Sequence, residues 1–295
     1  MRVGELLRDA ARRLDEAGSD TPRLDAEVLL GHVLGVDRAT LLAEPEALVG
    51  DGAAHAYVTL LDRRATGEPV SYIRGIKEFY GLAFAVDARA LIPRPETELL
   101  VDIALKRLET ALSAAPRPPG MPPLSVLDIG TGSGAVAVAL SVESRRRGWA
   151  GEVRFVATDV SADALAVAIE NAVGHGVSDL ISFKLADLAD PEHAADIVTA
   201  NLPYVPTEDI STLPVAARFE PTTALDGGAD GLRIIARLVE RLPDVVRSGG
   251  VALLEIGADQ SSAMQEQVTG LAGWELTIHN DLSGRPRVAE IRRLV

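Results

Sequence analysis

The chain has 295 residues, of which 47% are hydrophobic and 24% charged, and this length predicts a sizeable core divided between two domains. It contains no cysteine, which excludes disulfides and thiolate metal sites, and its five histidines show no ligand spacing, so no metal site is predicted. The net charge of −14 opposes direct nucleic-acid binding, and the absence of a long apolar run or a signal peptide predicts a cytoplasmic protein that does not enter membranes.

Helical periodicity dominates the first part of the chain. Apolar residues recur every three or four positions over residues 3–14, 22–34 and 53–65, and Gly35 follows the second of these stretches. We therefore predict a small helical bundle over residues 1–75.

Residues 76–123 form a predicted connecting region. Loose alternation around Tyr80 and Gly81 indicates a hairpin, and Pro95 begins a predicted helix that runs to about Leu112. Glu96 and Glu98 at that helix start complement the helix dipole, and we favour a structural role near the site for them. Residues 114–123 include five prolines and are predicted to be a linker or surface insertion.

Strands and helices alternate over residues 124–295. Strands are predicted near residues 124–129, 153–158, 181–185, 195–200, 250–256, 273–280 and 287–294. This alternation predicts an α/β fold with a mostly parallel sheet and helices on both faces. No helix separates the last two strands, so we expect them to form an antiparallel hairpin at the C-terminus.

A glycine-rich loop follows the first strand of this region. Its residues, which we assign to cofactor binding, are Gly130, Thr131, Gly132, Ser133 and Gly134. Glycines suit a backbone that turns sharply and approaches a ligand, and a helix follows directly, as in nucleotide-like cofactor sites. With Ala135 in the third place the loop also fits a looser dinucleotide pattern, so the loop alone leaves a nicotinamide enzyme open.

Carboxylates follow the next two strands. Asp159 at the end of the second strand can accept both hydroxyls of a ribose; its alternative role is a helix cap, for which Ser161 is the better candidate, leaving Asp159 free. Asp187 after the third strand can accept the exocyclic amine of adenine, although a solvated loop is equally consistent with its sequence context. We assign Asp187 and the adjacent Leu188 to the cofactor site.

The segment Asn201, Leu202, Pro203 and Tyr204 follows the fourth strand, at the edge where ligands of parallel sheets bind. The Asn201 side-chain oxygen and the Leu202 backbone carbonyl can each accept one N–H of a planar nitrogen, and Tyr204 can stack on the planar group. With the cofactor loops upstream, these four residues predict methyl transfer to an amine or amide nitrogen, and Asn201 also borders the cofactor site. The alternative is a plain turn after a strand.

These motifs, and further segments spread over nearly the whole chain, resemble the release-factor glutamine methyltransferases, the HemK/PrmC family. The segments that carry the resemblance are residues 67–73, 77–82, 91–98, 220–221, 224–228, 230–232, 249–250, 255–257, 281–282 and 287–288. The resemblance implies a class I, Rossmann-like methyltransferase fold, with S-adenosylmethionine (SAM) as the methyl donor. It also implies N5-methylation of the glutamine in the Gly-Gly-Gln motif of peptide chain release factors, with the bundle helping to recognise that protein.

One residue departs from the pattern of this family, which usually reads Asn-Pro-Pro-Tyr where this chain has Leu202. The backbone carbonyl is the same for any side chain, whereas the fixed φ of proline is lost. Some adenine-N6 RNA methylases carry Asn-Leu-Pro-Tyr. A paralogue acting on another protein glutamine or on adenine N6 of nucleic acid therefore stays open, as does a non-catalytic binding protein.

Overall fold

The computed structural model describes residues 1–114, 120–189 and 194–295. Most of the predicted proline-rich linker, and His193, lie outside these residues. In these ranges the helices are α1 (Val3–Glu16), α2 (Pro22–Leu34), α3 (Arg38–Ala43), α4 (Asp51–Ala65), α5 (Val70–Arg74), α6 (Glu98–Ser113), α7 (Ala135–Arg146), α8 (Ala162–Gly174), α9 (Arg233–Val245) and α10 (Ser261–Thr269). The strands are β1 (Ile76–Phe79), β2 (Leu82–Ala85), β3 (Leu124–Ile129), β4 (Val153–Asp159), β5 (Ile181–Leu185), β6 (Ala195–Ala200), β7 (Val246–Glu255), β8 (Trp274–Asn280) and β9 (Pro286–Arg293). No helix in the described ranges is long and apolar enough to cross a membrane.

The chain divides into two compact units. One comprises residues 1–76 with 213–219, and the other comprises 77–212 with 220–295. The first unit is the predicted helical bundle, with a core that includes Leu14, Leu29 and Tyr57. Helices α1, α2 and α4 match the predicted ones, whereas α3 and α5 were not predicted because they are too short to show a period. The finer division into 1–75, 76–123 and 124–295 stays a prediction.

The second unit is built on a seven-stranded sheet with the order β5-β4-β3-β6-β7-β9-β8. Strands β3 to β7 are parallel to one another, and β9 runs antiparallel between β7 and β8. The predicted mostly parallel sheet with an antiparallel hairpin at its end is therefore confirmed. Strand β7 begins four residues earlier than predicted, at Val246, because a shift of register lets Val246 pair with Ala195.

The order of the strands in the sheet determines where the predicted site lies. Strand β3 has β4 on one side and β6 on the other, so the chain leaves β3 in one direction and later returns to its opposite side. A crevice opens outside the carboxyl ends of the strands where the order reverses in this way. The loops after β3, β4, β5 and β6, which carry the predicted site residues, end at this one edge.

A hairpin precedes the sheet in the same unit. Tyr80 and Gly81, between β1 and β2, both have positive φ, at 54° and 67°, as a two-residue hairpin turn requires. Glu98 of α6 accepts a hydrogen bond from the Tyr80 backbone N–H at 2.8 Å, and the Tyr80 hydroxyl donates to Asp102 at 2.7 Å. Glu98 therefore holds the hairpin against the start of α6, in agreement with the structural role that we favoured for it.

Candidate active site

A cavity of about 460 Å³ opens at the carboxyl edge of the sheet, a size typical of small-molecule sites. Its walls come from the loops after β3, β4, β5 and β6, from residues 89–97 and from residues 221–237. The predicted site residues that line it are Gly130, Thr131, Gly132, Ser133, Asp159, Asp187, Leu188, Asn201, Leu202 and Pro203. Among the described residues, Gly134 and Tyr204 lie outside this lining.

The three glycines of the loop after β3 have positive φ and different surroundings. A Cβ added to Gly130 would lie 2.9 Å from Leu202 Cδ2, whereas one added to Gly132 would have no neighbour within 4 Å. A Cβ on Gly134 would lie 3.0 Å from the Cβ of Ala168 in α8. Gly132 thus keeps the backbone open toward the cavity, while Gly134 allows α8 to pack closely on the start of α7.

Asp128, which sequence reasoning did not single out, anchors this loop from inside the sheet. Its buried carboxylate accepts hydrogen bonds from the Thr131 hydroxyl at 2.6 Å and from the Thr199 hydroxyl of β6 at 2.8 Å. Burial is the largest influence on its pKa and raises it to about 6. A single acidic residue within an apolar strand was the signal that could have identified it.

Asp159 lies between the glycine loop and the next helix. Ser161 caps α8 as predicted, since its hydroxyl accepts a hydrogen bond from the Ala164 N–H at 3.2 Å. Asp159 is therefore left free of the capping role, as expected, although its carboxylate accepts hydrogen bonds from the Gly132 N–H at 2.8 Å and the Ser161 N–H at 2.9 Å. Each carboxylate oxygen can accept a further bond, so the cavity side of Asp159 can still hold hydroxyl groups.

Asp187 and Leu188, in the loop after β5, line the same cavity. The exposed Asp187 carboxylate accepts a hydrogen bond from the Arg237 guanidinium of α9 at 2.7 Å. Leu188 has a φ of 67°, which is uncommon for a residue with a side chain. Its carbonyl accepts a 2.6 Å hydrogen bond from the buried Thr158 hydroxyl, which holds the backbone in this conformation.

Asn201 stands directly after β6, and its side chain has a defined partner. The Asn201 amide nitrogen donates to the hydroxyl of Thr97 at 3.0 Å. The side-chain oxygen is therefore the group left for an incoming ligand. Leu202 is buried beneath the glycine loop, and its side chain packs against Gly130.

Tyr204 ends this turn with its hydroxyl 3.3 Å from Oε1 of the buried Glu255, to which it donates. Burial, and secondarily the charge of Glu255, raise the pKa of Tyr204 to about 12, so the phenol is neutral at physiological pH. The Tyr204 carbonyl accepts a hydrogen bond from Gln260 at 3.2 Å. Since Tyr204 lies outside the cavity lining of the described chain, its stacking on an acceptor stays a prediction.

Another part of the cavity lining is held by Glu220, a residue quoted above only for the resemblance. Its buried carboxylate accepts hydrogen bonds from the Arg94 guanidinium at 2.6 Å and from the Ile92 N–H at 3.1 Å. These bonds hold residues 92–94 beside residues 221–224, and Arg94 lines the cavity.

The cavity fits SAM in its chemistry. The lining includes the Asp159 carboxylate, which can accept hydrogen bonds from hydroxyl groups, the apolar side chains of Val160 and Leu188, and the accessible backbone of Gly132. This donor set, at the carboxyl edge of a seven-stranded sheet that ends in an antiparallel hairpin, defines a class I SAM-dependent methyltransferase.

Comparison with known proteins narrows this class. A family model described as a methyltransferase domain matches residues 126–219, and one described as a PrmC N-terminal domain matches residues 5–75. The release factor glutamine methyltransferase of Moorella thermoacetica is 37% identical over 97% of this chain and 97% of its own length. The protein of the same name from Deinococcus radiodurans is 36% identical over 99% of both chains. The chain therefore belongs to the family of release factor glutamine methyltransferases, which confirms the resemblance seen in the sequence.

A solved structure agrees with the fold. The hMettl16 catalytic domain in complex with MAT2A 3′UTR hairpin 1 superposes with a TM-score of 0.54 at 18% identity, covering 86% of this chain and 85% of that one. At this identity the likeness concerns the fold alone.

Proposed function

We propose that this protein transfers a methyl group from SAM to the side-chain nitrogen of the glutamine in the Gly-Gly-Gln motif of a peptide chain release factor. One observation carries the proposal. The Asn201 NH₂ group is occupied by Thr97, so the amide presents its oxygen as an acceptor for the two-donor nitrogen of a primary amide. Membership of the family supports glutamine as the amide.

The cofactor side of the cavity has separate assignments. We assign the ribose hydroxyls to Asp159, the adenine amine to Asp187 and the apolar contact with the base to Leu188. The loop from Gly130 to Gly134 lets the backbone approach the ligand and α8 pack behind it. When bound, SAM supplies an electrophilic methyl group on a sulfonium centre.

On the acceptor side, the Asn201 oxygen and the Leu202 carbonyl each accept one N–H of the glutamine side chain. An amide nitrogen is a poor nucleophile because its lone pair is delocalised into the carbonyl group. Two accepted hydrogen bonds orient the nitrogen and increase its electron density, and orientation is a large part of the acceleration available to such a site. The surplus proton leaves to water after the transfer, so this chain need not supply a general base.

Leu202 supports this assignment even though the family usually has proline there. Its side chain is only 6% exposed and lies under Gly130, so packing restrains the turn where a proline ring would restrain φ. We therefore assign Leu202, Pro203 and Tyr204 to the catalytic turn, with Tyr204 packed beside the acceptor amide.

We further propose that the helical bundle takes part in recognising the release factor. The protein substrate would be bound directly and no nucleic acid would be needed, since a net charge of −14 opposes binding to phosphate backbones. A cytoplasmic location follows from this substrate, because release factors act on ribosomes.

Mass spectrometry tests the proposal. A purified release factor is incubated with the protein and SAM, and an Asn201→Ala variant is run alongside. We expect the mass of one methyl group to be added to the Gly-Gly-Gln peptide by the wild type and not by the variant. SAM binding by the wild type without methylation of any release factor would contradict the assigned substrate, and methylation of an RNA adenine instead would favour the paralogue acting on adenine N6.

A further inference from the structure

Asn171 of α8 carries a buried side-chain amide that bonds to the backbone of two other segments. Its side chain lies in the interior, with the residue 3% exposed. Its Oδ1 accepts a hydrogen bond from the Ala85 N–H at 2.7 Å, and its Nδ2 donates to the Ala85 carbonyl at 3.0 Å and to the Ser133 carbonyl at 2.9 Å. One side chain therefore joins the end of β2 to the glycine loop after β3.

The direction of this amide is fixed by its partners. A backbone N–H only donates and a carbonyl only accepts, so the Asn171 oxygen faces the Ala85 N–H and the NH₂ group faces the two carbonyls. The reversed amide would place an oxygen against both carbonyls. Asn171 also lies outside the cavity lining of the described chain, so it can affect a ligand only through the segments to which it bonds.

The glycine loop receives from Asn171 a restraint that its own sequence does not supply. Gly132 and Gly134, on either side of Ser133, have φ values of 55° and 81°, and glycine is the residue with the widest choice of backbone conformations. Ser133 itself is 3% exposed and lines the cavity. The bond from Asn171 to the Ser133 carbonyl holds the middle of this loop in one conformation, which reduces the freedom that the loop loses when a ligand binds.

The bonds to Ala85 support a second part of the cavity lining. The chain continues from Ala85 along α8, where Ala90 packs in a small buried cluster with Ala164 and Val167. Residues 89–91 line the cavity. The glycine loop and residues 89–91 therefore border one cavity and are both connected to the same side chain of α8.

We propose that Asn171 is a positioning residue of the SAM site, which holds the glycine loop and residues 89–91 in the arrangement that binds SAM. Its amide takes the place of a peptide group from a neighbouring strand, since it gives Ala85 one acceptor and one donor and has a second donor left for Ser133. This role rests on the cofactor side of the proposed function and does not depend on which substrate accepts the methyl group.

Two variants of Asn171 test the donors of the amide. Asn171→Asp has nearly the same size, and one oxygen can still accept from the Ala85 N–H, but the other oxygen meets two carbonyls that cannot donate. We expect the Kd for SAM, measured by calorimetric titration, to rise about 10-fold or more. Asn171→Ala removes the donors without introducing a repelling oxygen, and should raise the Kd about fivefold or more.

His175→Ala is the matched control. His175 directly follows α8, and its Nε2 donates to the Ala83 carbonyl of β2 at 2.9 Å. The change therefore removes a bond between the same two parts of the chain and leaves Ser133 untouched, so the Kd should stay within about twofold of the wild type. Val153→Ala, at the buried start of β4 and away from the carboxyl edge of the sheet, lowers the stability without touching the site and should also leave the Kd within about twofold.

Hydrogen exchange in the absence of SAM separates positioning from general loss of stability. The Gly132 and Gly134 N–H groups both donate hydrogen bonds, so they exchange when the loop opens. In both Asn171 variants the peptide that contains the glycine loop should exchange about fivefold faster or more. In His175→Ala and Val153→Ala its rate should stay within about twofold of the wild type.

The outcomes that contradict the positioning role are distinct from those that contradict the proposed substrate. A wild-type Kd for SAM in both Asn171 variants, or an equal rise in His175→Ala or Val153→Ala, overturns the positioning role. Failure of both Asn171 variants to fold also overturns it, because Asn171 would then support the whole fold and not this site in particular. If the Asn171 variants lose affinity for SAM but the wild type methylates no release factor, the positioning role holds and the proposed substrate is wrong.

Discussion

The Leu202 side chain packs against the face of Gly130 that a Cβ would occupy, so the turn 201–204 and the glycine loop 130–134 are packed directly against each other. A Cβ on Gly130 would lie 2.9 Å from Leu202 Cδ2, at a residue whose φ is 68°. A change at either residue is therefore expected to affect both the proposed acceptor site and the proposed cofactor site.

Gly130→Ala should lower the free energy of unfolding by about 2–4 kcal/mol, because it combines a strained positive φ with a steric contact. In a Leu202→Ala background, Gly130→Ala should cost about 1 kcal/mol less than it does in the wild type. The steric contact is then absent, and only the backbone strain remains. Gly132→Ala is the control: its Cβ meets nothing within 4 Å, so Leu202→Ala should not relieve it. Denaturant unfolding of the single and double variants checks this, and strict additivity for the Gly130 pair would refute the contact.

Asp159→Ala should weaken SAM binding about 10- to 100-fold, the loss expected for hydrogen bonds to a charged group. The change also removes the acceptor of the Gly132 N–H, which orders the loop. Asp163→Ala, in the first turn of α8, changes the same charge nearby and should leave the affinity within about twofold. Calorimetric titration with SAM measures both, and equal affinities for the two variants would argue against a ribose role for Asp159.

Asp187→Ala should weaken SAM binding only about two- to fivefold, because this carboxylate is exposed and already forms an ion pair with Arg237. The effect should be smaller than that of Asp159→Ala in the same titration. A loss as large as the one at Asp159 would show that the ion pair opens when SAM binds.

The stability of the protein should depend on pH through Asp128. Its pKa is raised to about 6 in the folded state, so the folded protein binds this proton more tightly than the unfolded chain does. The stabilisation of the folded state by protonated Asp128 is therefore present at low pH. It is lost as the pH rises from about 4 to about 6, which lowers the free energy of unfolding by about 2–3 kcal/mol. Asp128→Asn has no such titration.

The measurement is denaturant unfolding of the wild type and Asp128→Asn across this pH range. The difference in stability between them should move in favour of the variant as the pH rises. A constant difference would mean that Asp128 has an ordinary pKa.

Glu220→Ala should lower the free energy of unfolding by about 1–3 kcal/mol, since it leaves the Ile92 N–H and the half-buried Arg94 guanidinium without their acceptor. Glu170→Ala is the matched control, because Glu170 pairs with Arg89 on the exposed surface and should contribute at most about 1 kcal/mol. Thermal unfolding of both variants makes the comparison, and similar losses would show that the Glu220 bonds are no stronger than a surface pair.

Local features were the most predictable part of the structure. Helix α2 was predicted from Pro22 to Leu34 and has those bounds, because proline suits the first turn of a helix and Gly35 ends it at a φ of 67°. The hairpin turn at Tyr80 and Gly81 was likewise visible in adjacent residues. Helices α3 and α5 were missed, since five or six residues do not define a period.

The candidate site was predictable where its residues end strands, because parallel strands bring their carboxyl ends to one edge. Asp159, Asp187 and Asn201 were identified in this way, and all three line the cavity. Their partners were not identified. The ion pair of Asp187 with Arg237 and the two backbone bonds of Asp159 depend on loops that meet only in the folded protein.

The sequence by itself determined the family, the parallel sheet with its closing hairpin, and the residue types at the cavity edge, because these follow from local periodicity and from motifs of a few adjacent residues. Only the tertiary structure decided what each group is bonded to. Thr97 reaches Asn201 across 104 residues of chain, and Glu255 reaches Tyr204 across 51. The direction of a side-chain amide and the ionisation of a buried carboxylate depend on neighbours within a few ångströms. Those neighbours are distant in the sequence and come together only when the chain folds.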